Sequence, residues 1–486
     1  MLNFWEFEIW NSLIQFGFIC GLIVVANILR RKIPFLRKSL LPTALIGGFI
    51  GLIIKISGGL DWMNMTMLDG ITYHTIALGF IAMALKQKYG KRGKLLRRET
   101  MKDGINSGAT IVGVYLLQGI VGLFLTLILG LLFFDWLFPG GGILLALAYG
   151  QGPGQSNNFG RIYEDLGFEG GQSFALSLVA IGFLVASVVS VIFINIMRMK
   201  GKISVEEIEK SSKITETDPE DEMPLSEPVD RMTMNIGVIM LIFLATAGFL
   251  FGIDALLVQS GMLGDFGYNT LRPMLFGFNF MFAMIFALVY KKIFVSLKSR
   301  GYIKHEYTNN QTLNRIAGAM FDFMIIAGVL LIDINVLSML VIPMLILAVV
   351  GAVVTFVYLY FVTRHTAKGY ETVQFVGWFA HLTGTISTGI AMIRVLDPNF
   401  RTKASDNLVL GSAFAIALGF PLMMLLGLAP WMPWLTLGLL VLLFGAINVL
   451  LFRSLIFRRR GKPGAGESVE AVVTNDAELV PVVQSE

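Results

Sequence analysis

The residues best suited to chemistry in this chain are amides, hydroxyls and glycines set into apolar surroundings. Residues 150–160 read GQGPGQSNNFG, and residues 381–389 read HLTGTISTG. Carboxamide and hydroxyl oxygens are good ligands for a hard cation such as sodium, and amide N–H groups are good donors to a carboxylate. Gly152, Pro153 and Gly154 cannot occupy the middle of a helix. Unpaired backbone in lipid costs several kcal/mol per group and is tolerated only where protein buries it or a wet cavity borders it. The chemistry expected of these stretches is reversible binding of a small polar solute and an ion.

In the first stretch Gln151, Gln155, Ser156, Asn157 and Asn158 bring donors and acceptors to the break; in the second, Thr383, Thr385, Ser387 and Thr388 do so. Gln155, Ser156, Asn157, Thr385, Ser387, Thr388 and Arg394 are the expected substrate-binding set. Gly152, Gly154, Asn158, Thr383, Gly384 and Asp322 are the expected sodium-binding set. The alternative is hydrogen bonding between the two stretches with no ligand. Arg394 has a planar fork that fits a carboxylate, or it pairs with Asp397; Arg161 stands similarly beside Glu164 and Asp165. Asp322 falls inside an apolar run, where an acid is a functional candidate, or it pairs with Arg315. His381 is either packed or functional, and His74, His305 and His365 have no metal-ligand spacing. The single cysteine, Cys20, excludes an intramolecular disulfide and a cysteine-based metal site. No cofactor is expected beyond a coupling ion.

These stretches need a membrane protein to hold them. The chain has 486 residues, 55% hydrophobic and 15% charged, with a mean hydropathy of +0.72; soluble domains carry about 25% charge. A span needs roughly 20 apolar residues. About eleven runs qualify: 8–29, 39–57, 69–86, 105–134, 172–197, 233–259, 271–293, 313–333, 336–362, 405–428 and 432–457. Two more, 138–162 and 370–398, are interrupted by Gly, Pro and polar residues. Residues 1–10 carry Glu6 and Glu8 and no basic residue, so the first run is expected to stay as a span. Lys and Arg cluster in alternate loops, after the first, third, fifth, seventh, ninth and last runs. Such loops face the cytoplasm, which sets the N-terminus outside and the C-terminus inside the inner cell membrane. The alternation holds only if both interrupted stretches return to the side they entered from.

The halves also look related. Gly154 and Gly384 mark tips 230 residues apart, each followed by a helix bearing Gly-Phe, and Pro42 of LLPTALIGGFIG lies opposite Pro273 of TLRPMLFGFNF. The fold expected is an all-α polytopic membrane protein of two inverted repeats. Each has about five spans and one re-entrant hairpin, and an extra C-terminal helix follows. The repeats cover 1–197, with hairpin 138–162, and 232–428, with hairpin 370–398. A charged cytoplasmic linker fills 198–231, the extra helix 429–460, and a disordered tail 461–486. Inverted repeats with discontinuous segments at the midplane are transporter architecture.

GQGPGQSNNFGRIYEDLGFEGG (150–171) and GTISTGIAMIRVLDP (384–398) resemble the hairpin motifs of a long-chain branch of the sodium/glutamate symporter family. The resemblance implies an elevator-type carrier, usually dimeric, that couples inward sodium flow to uptake of an acidic amino acid. Where better-known glutamate carriers have Gly-Gly-His-Gly, this chain has Gln-Gly-Pro-Gly-Gln. The Gly47-x-x-x-Gly51 pair is a candidate helix contact for a homodimer. The leading expectation is a sodium-coupled symporter for a small carboxylate, glutamate or a related acidic amino acid. A proton-coupled or citrate-like organic-anion carrier is the alternative. A membrane-embedded enzyme is disfavoured because His-Glu-x-x-His, Walker and Gly-x-Ser-x-Gly motifs are absent. A channel fits less well, because paired tips facing opposite ways suit alternating access. No basic soluble domain for nucleic acid is present.

Overall fold

The computed structural model describes residues 7–38, 41–86, 94–201, 228–264, 267–302, 309–397 and 402–456. Most of the expected linker, 202–227, and all of the expected tail lie outside the described residues. The described chain is helical. In the first half the helices are α1 (Phe7–Lys32), α2 (Pro34–Lys38), α3 (Thr43–Ile56), α4 (Met65–Leu85), α5 (Lys94–Leu132), α6 (Leu144–Gly150), α7 (Pro153–Asp165) and α8 (Gly171–Met199). In the second half they are α9 (Pro228–Ile253), α10 (Arg272–Gly277), α11 (Asn279–Ser299), α12 (Asn310–Leu331), α13 (Ile334–Thr366), α14 (Glu371–Leu382), α15 (Ile386–Leu396), α16 (Ala404–Leu418), α17 (Phe420–Leu428) and α18 (Pro433–Ile456).

Among the described residues, nine helices are long and apolar enough to cross a membrane. The sequence reading counted more. Its second run yields only the 14 residues of α3, which start after Pro42. Its tenth is broken at Gly419, ahead of Pro421, into α16 and α17; its seventh is interrupted at Phe278, five residues past Pro273, but α11 still makes a candidate span of 21 residues. Proline withdraws a backbone donor and obstructs the preceding turn; an apolar run therefore does not ensure one continuous helix. The third run, the shortest, is a full helix of 21 residues. Its start is set by Asn64, whose side chain accepts from Thr66 N at 2.9 Å. Asn309 and Asp333 cap α12 and α13 in the same manner.

Packing joins the halves. The helix pairs α1 with α3, α3 with α12, α4 with α12, α4 with α11, and α9 with α11 pack along one side. On the other, α5 packs with α6, α13, α16 and α18, and α13 with α8 and α14. Gly47, Gly48 and Gly51 are consumed inside the chain: a Cβ on them would stand 3.1, 2.8 and 2.7 Å from Leu22, Val329 and Leu330, respectively. The stripe expected to serve a dimer instead lets α3 approach α1 and α12.

The two interrupted stretches form helical hairpins with limbs shorter than a span. The first runs through a 3-10 turn (Gly141–Ile143), α6 and α7. Its entry and exit meet, with Phe138 and Phe168 stacked at 5.2 Å. The second is α14 and α15, and its base closes through Asn407, which donates to Tyr370 Oη at 3.1 Å and Gln374 Oε1 at 2.9 Å. The bases lie at opposite ends of α16–α17. Asn407 is in the first turn of α16, whereas Ala429, just beyond α17, lies against Gly140, where an added Cβ would be 2.9 Å from the Ala429 carbonyl. At about 1.5 Å per residue the two segments together measure at most about 35 Å.

Candidate functional site

Each hairpin turns at a tip. Gly150 ends α6, and Gly152 turns the chain with φ +88° and ψ −170°, a conformation open essentially to glycine alone. Pro153 then opens α7, where its fixed φ suits the first helical position and its missing N–H costs nothing. In the second hairpin α14 ends at Leu382, Thr383 and Gly384 make the turn, and Thr385 caps α15, its hydroxyl accepting from Thr388 N at 3.4 Å. The tips are adjacent: a Cβ added to Gly152 would come within van der Waals reach of Thr385 Cγ2, at 3.6 Å. The N-termini of α7 and α15 therefore converge inside the molecule. Their first-turn N–H groups and dipoles make a locally positive patch suited to an anion.

Helices from both halves hold this junction. Gln118 of α5 donates to Thr355 Oγ1 of α13 at 2.9 Å and to the Leu382 carbonyl at 2.8 Å. Tyr149 of α6 donates to the Ala348 carbonyl of α13 at 2.7 Å. Gly182 of α8 permits close approach of the second tip, since a Cβ there would meet the Thr383 carbonyl at 2.5 Å. Gly154 fits against Ile76 of α4 and Met324 of α12.

The expected residues divide into groups. Gln155 is 3% exposed, and its Oε1 accepts no hydrogen bond. Ser156 and Thr383 are fully buried and donate to their own helices, to the carbonyls of Gly152 at 2.9 Å and Phe379 at 2.7 Å. Thr385 and Thr388 face each other, with hydroxyls 3.1 Å apart. Ser387 is exposed. Gln151 reaches Met423 Sδ at 3.9 Å. Gly152, Gly154 and Gly384 are buried. Asn158 lies lower on α7, its amide donating to the Gly277 carbonyl at 3.2 Å.

Asn157 belongs to a polar cluster that the sequence reading missed. Its amide donates to Asp69 Oδ1 at 2.6 Å; Gln172 donates to the same oxygen at 3.2 Å and to Asn157 Oδ1 at 3.0 Å. Arg161 pairs with Asp69 at 3.5 Å and with Asp165 at 3.8 Å. This cluster locks α7 to α4 and α8, away from the tip junction. Asp69 stands at the first residue of the apolar run 69–86, where an acid reads as a run boundary, and Gln172 lies a hundred residues away in sequence. Gln118 was also missed, although a lone amide in the run YLLQGIVG is the kind of intramembrane polar group that marks a site.

Arg394 is exposed in the last turn of α15, eight residues beyond Ile386, or about 12 Å along the helix. Asp322 is half-buried within α12, and no ion pair joins it to Arg315, which is exposed. His381 is buried, with Nε2 3.4 Å from Ser412 Oγ. Among the described residues, no cluster of three or more His, Cys, Asp or Glu side chains could hold a metal ion. No protein-family model matches the chain, and no curated protein matches it.

Proposed function

We propose that the protein is a sodium-coupled secondary transporter for a small carboxylate, working by alternating access, with the joined hairpin tips as its binding site. The carrying observation is the juxtaposition of Gly152 and Thr385 at the tips of half-length hairpins whose bases lie at opposite ends of α16–α17. The converging N-termini of α7 and α15 supply positive potential for the carboxylate. The buried Gln155 amide and the Thr385–Thr388 hydroxyl pair supply the ordered polar groups, and backbone and hydroxyl oxygens around Gly152, Gly154, Thr383 and Gly384 supply ligands for sodium. Arg394 stands along the approach from the second hairpin's side and not at the tips.

Two inverted repeats are supported by packing that comes in matched sets. The pair α1–α3 matches α9–α11; α3–α12 matches α11–α4; α5–α16 matches α13–α8; α6–α8 matches α14–α16. Membrane orientation is supported by bonds between helix ends. Ends assigned to the cytoplasm by their basic residues bond one another: Lys403 to Asp103, Arg453 to Asn106, and Lys291 to the carbonyls of Ala84 and Lys86. Ends assigned outside do likewise: Lys55 to the Leu330 and Ile332 carbonyls, and the Asp333 N–H to Ser173. An elevator motion carries the two hairpins, with α5, α8, α13 and α16, past α1, α3, α4 and α9–α12.

The test is uptake of labelled glutamate and other small carboxylates into liposomes holding the purified protein, with and without an inward sodium gradient. Sodium-driven accumulation is expected. Uptake driven by a pH gradient and indifferent to sodium would replace this reading with the proton-coupled or citrate-like carrier. Leakage independent of any gradient would overturn both.

A further inference from the structure

A second polar junction lies where hairpin 1 meets the broken helix α10–α11. At that break the carbonyls of Phe276 and Gly277 are reached by side chains from other helices. Tyr73 of α4 donates to the Phe276 carbonyl at 2.8 Å, and Asn158 of α7 donates to the Gly277 carbonyl at 3.2 Å. Asn279, two residues on, donates back to the Tyr73 carbonyl at 3.3 Å. Both asparagines thus have their NH2 groups committed, and both are buried, at 5% and 2% exposure. The Oδ1 atom of each accepts nothing. Two unsatisfied carboxamide oxygens at one helix break are costly unless a hydrogen-bond donor or a cation meets them. Close approach is built in: a Cβ on Gly277 would stand 2.9 Å from Ile162 Cδ1, and the Phe159 and Phe278 rings pack 5.1 Å apart. Carbonyls at the C-terminal end of a helix add negative potential.

We propose that the junction of α4, α7 and the α10–α11 break is a binding site for a monovalent cation, with Asn158 Oδ1 and Asn279 Oδ1 as its side-chain ligands. The donor set decides the charge of the ion. It consists of neutral amide and carbonyl oxygens, and calcium or magnesium sites draw on carboxylates. Asp69, one turn before Tyr73 on α4, is already paired with Arg161. An ion here ties hairpin 1 to α4 and α10–α11, so its occupancy favours the arrangement in which α7 is docked on those helices. The choice of sodium as the ion rests on the proposed function; the site itself does not.

The experiment is thermal unfolding of the purified full chain in lipid nanodiscs, titrated with NaCl against choline chloride at constant ionic strength. Wild-type protein is expected to gain a saturable rise in midpoint, as linkage requires. Asn279→Ala is expected to move half-saturation upward tenfold or more. Asn279→Asp, which adds a negative charge to the donor set, is expected to move it downward and to let CaCl2 stabilise the protein. Absence of a saturable rise in the wild type with either NaCl or KCl overturns the site, as does an unchanged half-saturation in both variants. Saturation by KCl alone keeps the site and removes sodium as its ion. Carboxylate uptake is measured on the same preparations. Sodium-driven uptake with an Asn279-independent titration sinks this site and leaves the transporter; an Asn279-dependent titration without uptake does the reverse.

Discussion

At the scale of single residues, the tips separate strain from ligation. Gly152 sits where an L side chain is strained, so Gly152→Ala is expected to cost about 1–3 kcal/mol and to lower the thermal unfolding midpoint. Gln155 has a buried amide oxygen with no internal partner, whereas Arg394 is exposed about 12 Å from the tip. Gln155→Ala is therefore expected to raise half-saturation for uptake at least tenfold, and Arg394→Ala less than threefold; equal effects would return Arg394 to the site. Asp69→Ala strips the acceptor from the Asn157 and Gln172 amides and is expected to cost about 1–3 kcal/mol, read in the same unfolding assay. The tip residues were legible because polar residues in an apolar run stand out. Asp69, Gln172 and Asn279 were not, because each acts through a partner far along the chain and has an unremarkable local setting.

At the scale of elements, glycine decides how closely helices approach. The first hairpin enters against α5 through Gly142 and Gly122, where a Cβ on either would fall about 2 Å from the other's carbonyl oxygen. Two backbones in contact cannot yield as a flexible side chain can. Gly122→Val is expected to destabilise by at least ~3 kcal/mol and to abolish a monodisperse protein peak on size-exclusion chromatography. The conservative Gly119→Ala, where a Cβ has 3.6 Å of room against Leu440, should not. Several helix starts were set by Asn and Asp caps that the hydropathy bounds did not locate, whereas helix interiors were readable from hydropathy. The breaks at Phe278 and Gly419 were less so. A proline within an apolar run signals a possible interruption, but neighbouring side chains fix where the freed carbonyls find partners, as Tyr73 and Asn158 do at Phe276 and Gly277.

At the scale of the whole molecule, the two hairpin bases are separated by the length of α16–α17, and this predicts opposite labelling. In a Cys20→Ser background, Glu169→Cys beside the first base should react with a membrane-impermeant maleimide from outside only. Lys368→Cys beside the second should react from the cytoplasmic side only; both residues are exposed. Labelling of both from one face would remove the inverted arrangement and the alternating-access reading with it.

The sequence by itself determined that the chain is a helical membrane protein, where its apolar helices run, and where glycine, proline and amides interrupt them. Those properties follow from local hydropathy, local backbone preference and the distribution of charge along the chain. Only the tertiary structure decided that the tip at Gly152 adjoins the tip at Thr385, that Gln118 ties α5 to α13 and α14, and that Asn158 and Asn279 share one helix break. Their partners lie more than a hundred residues apart, and no local pattern encodes which buried oxygen ends up beside which helix end.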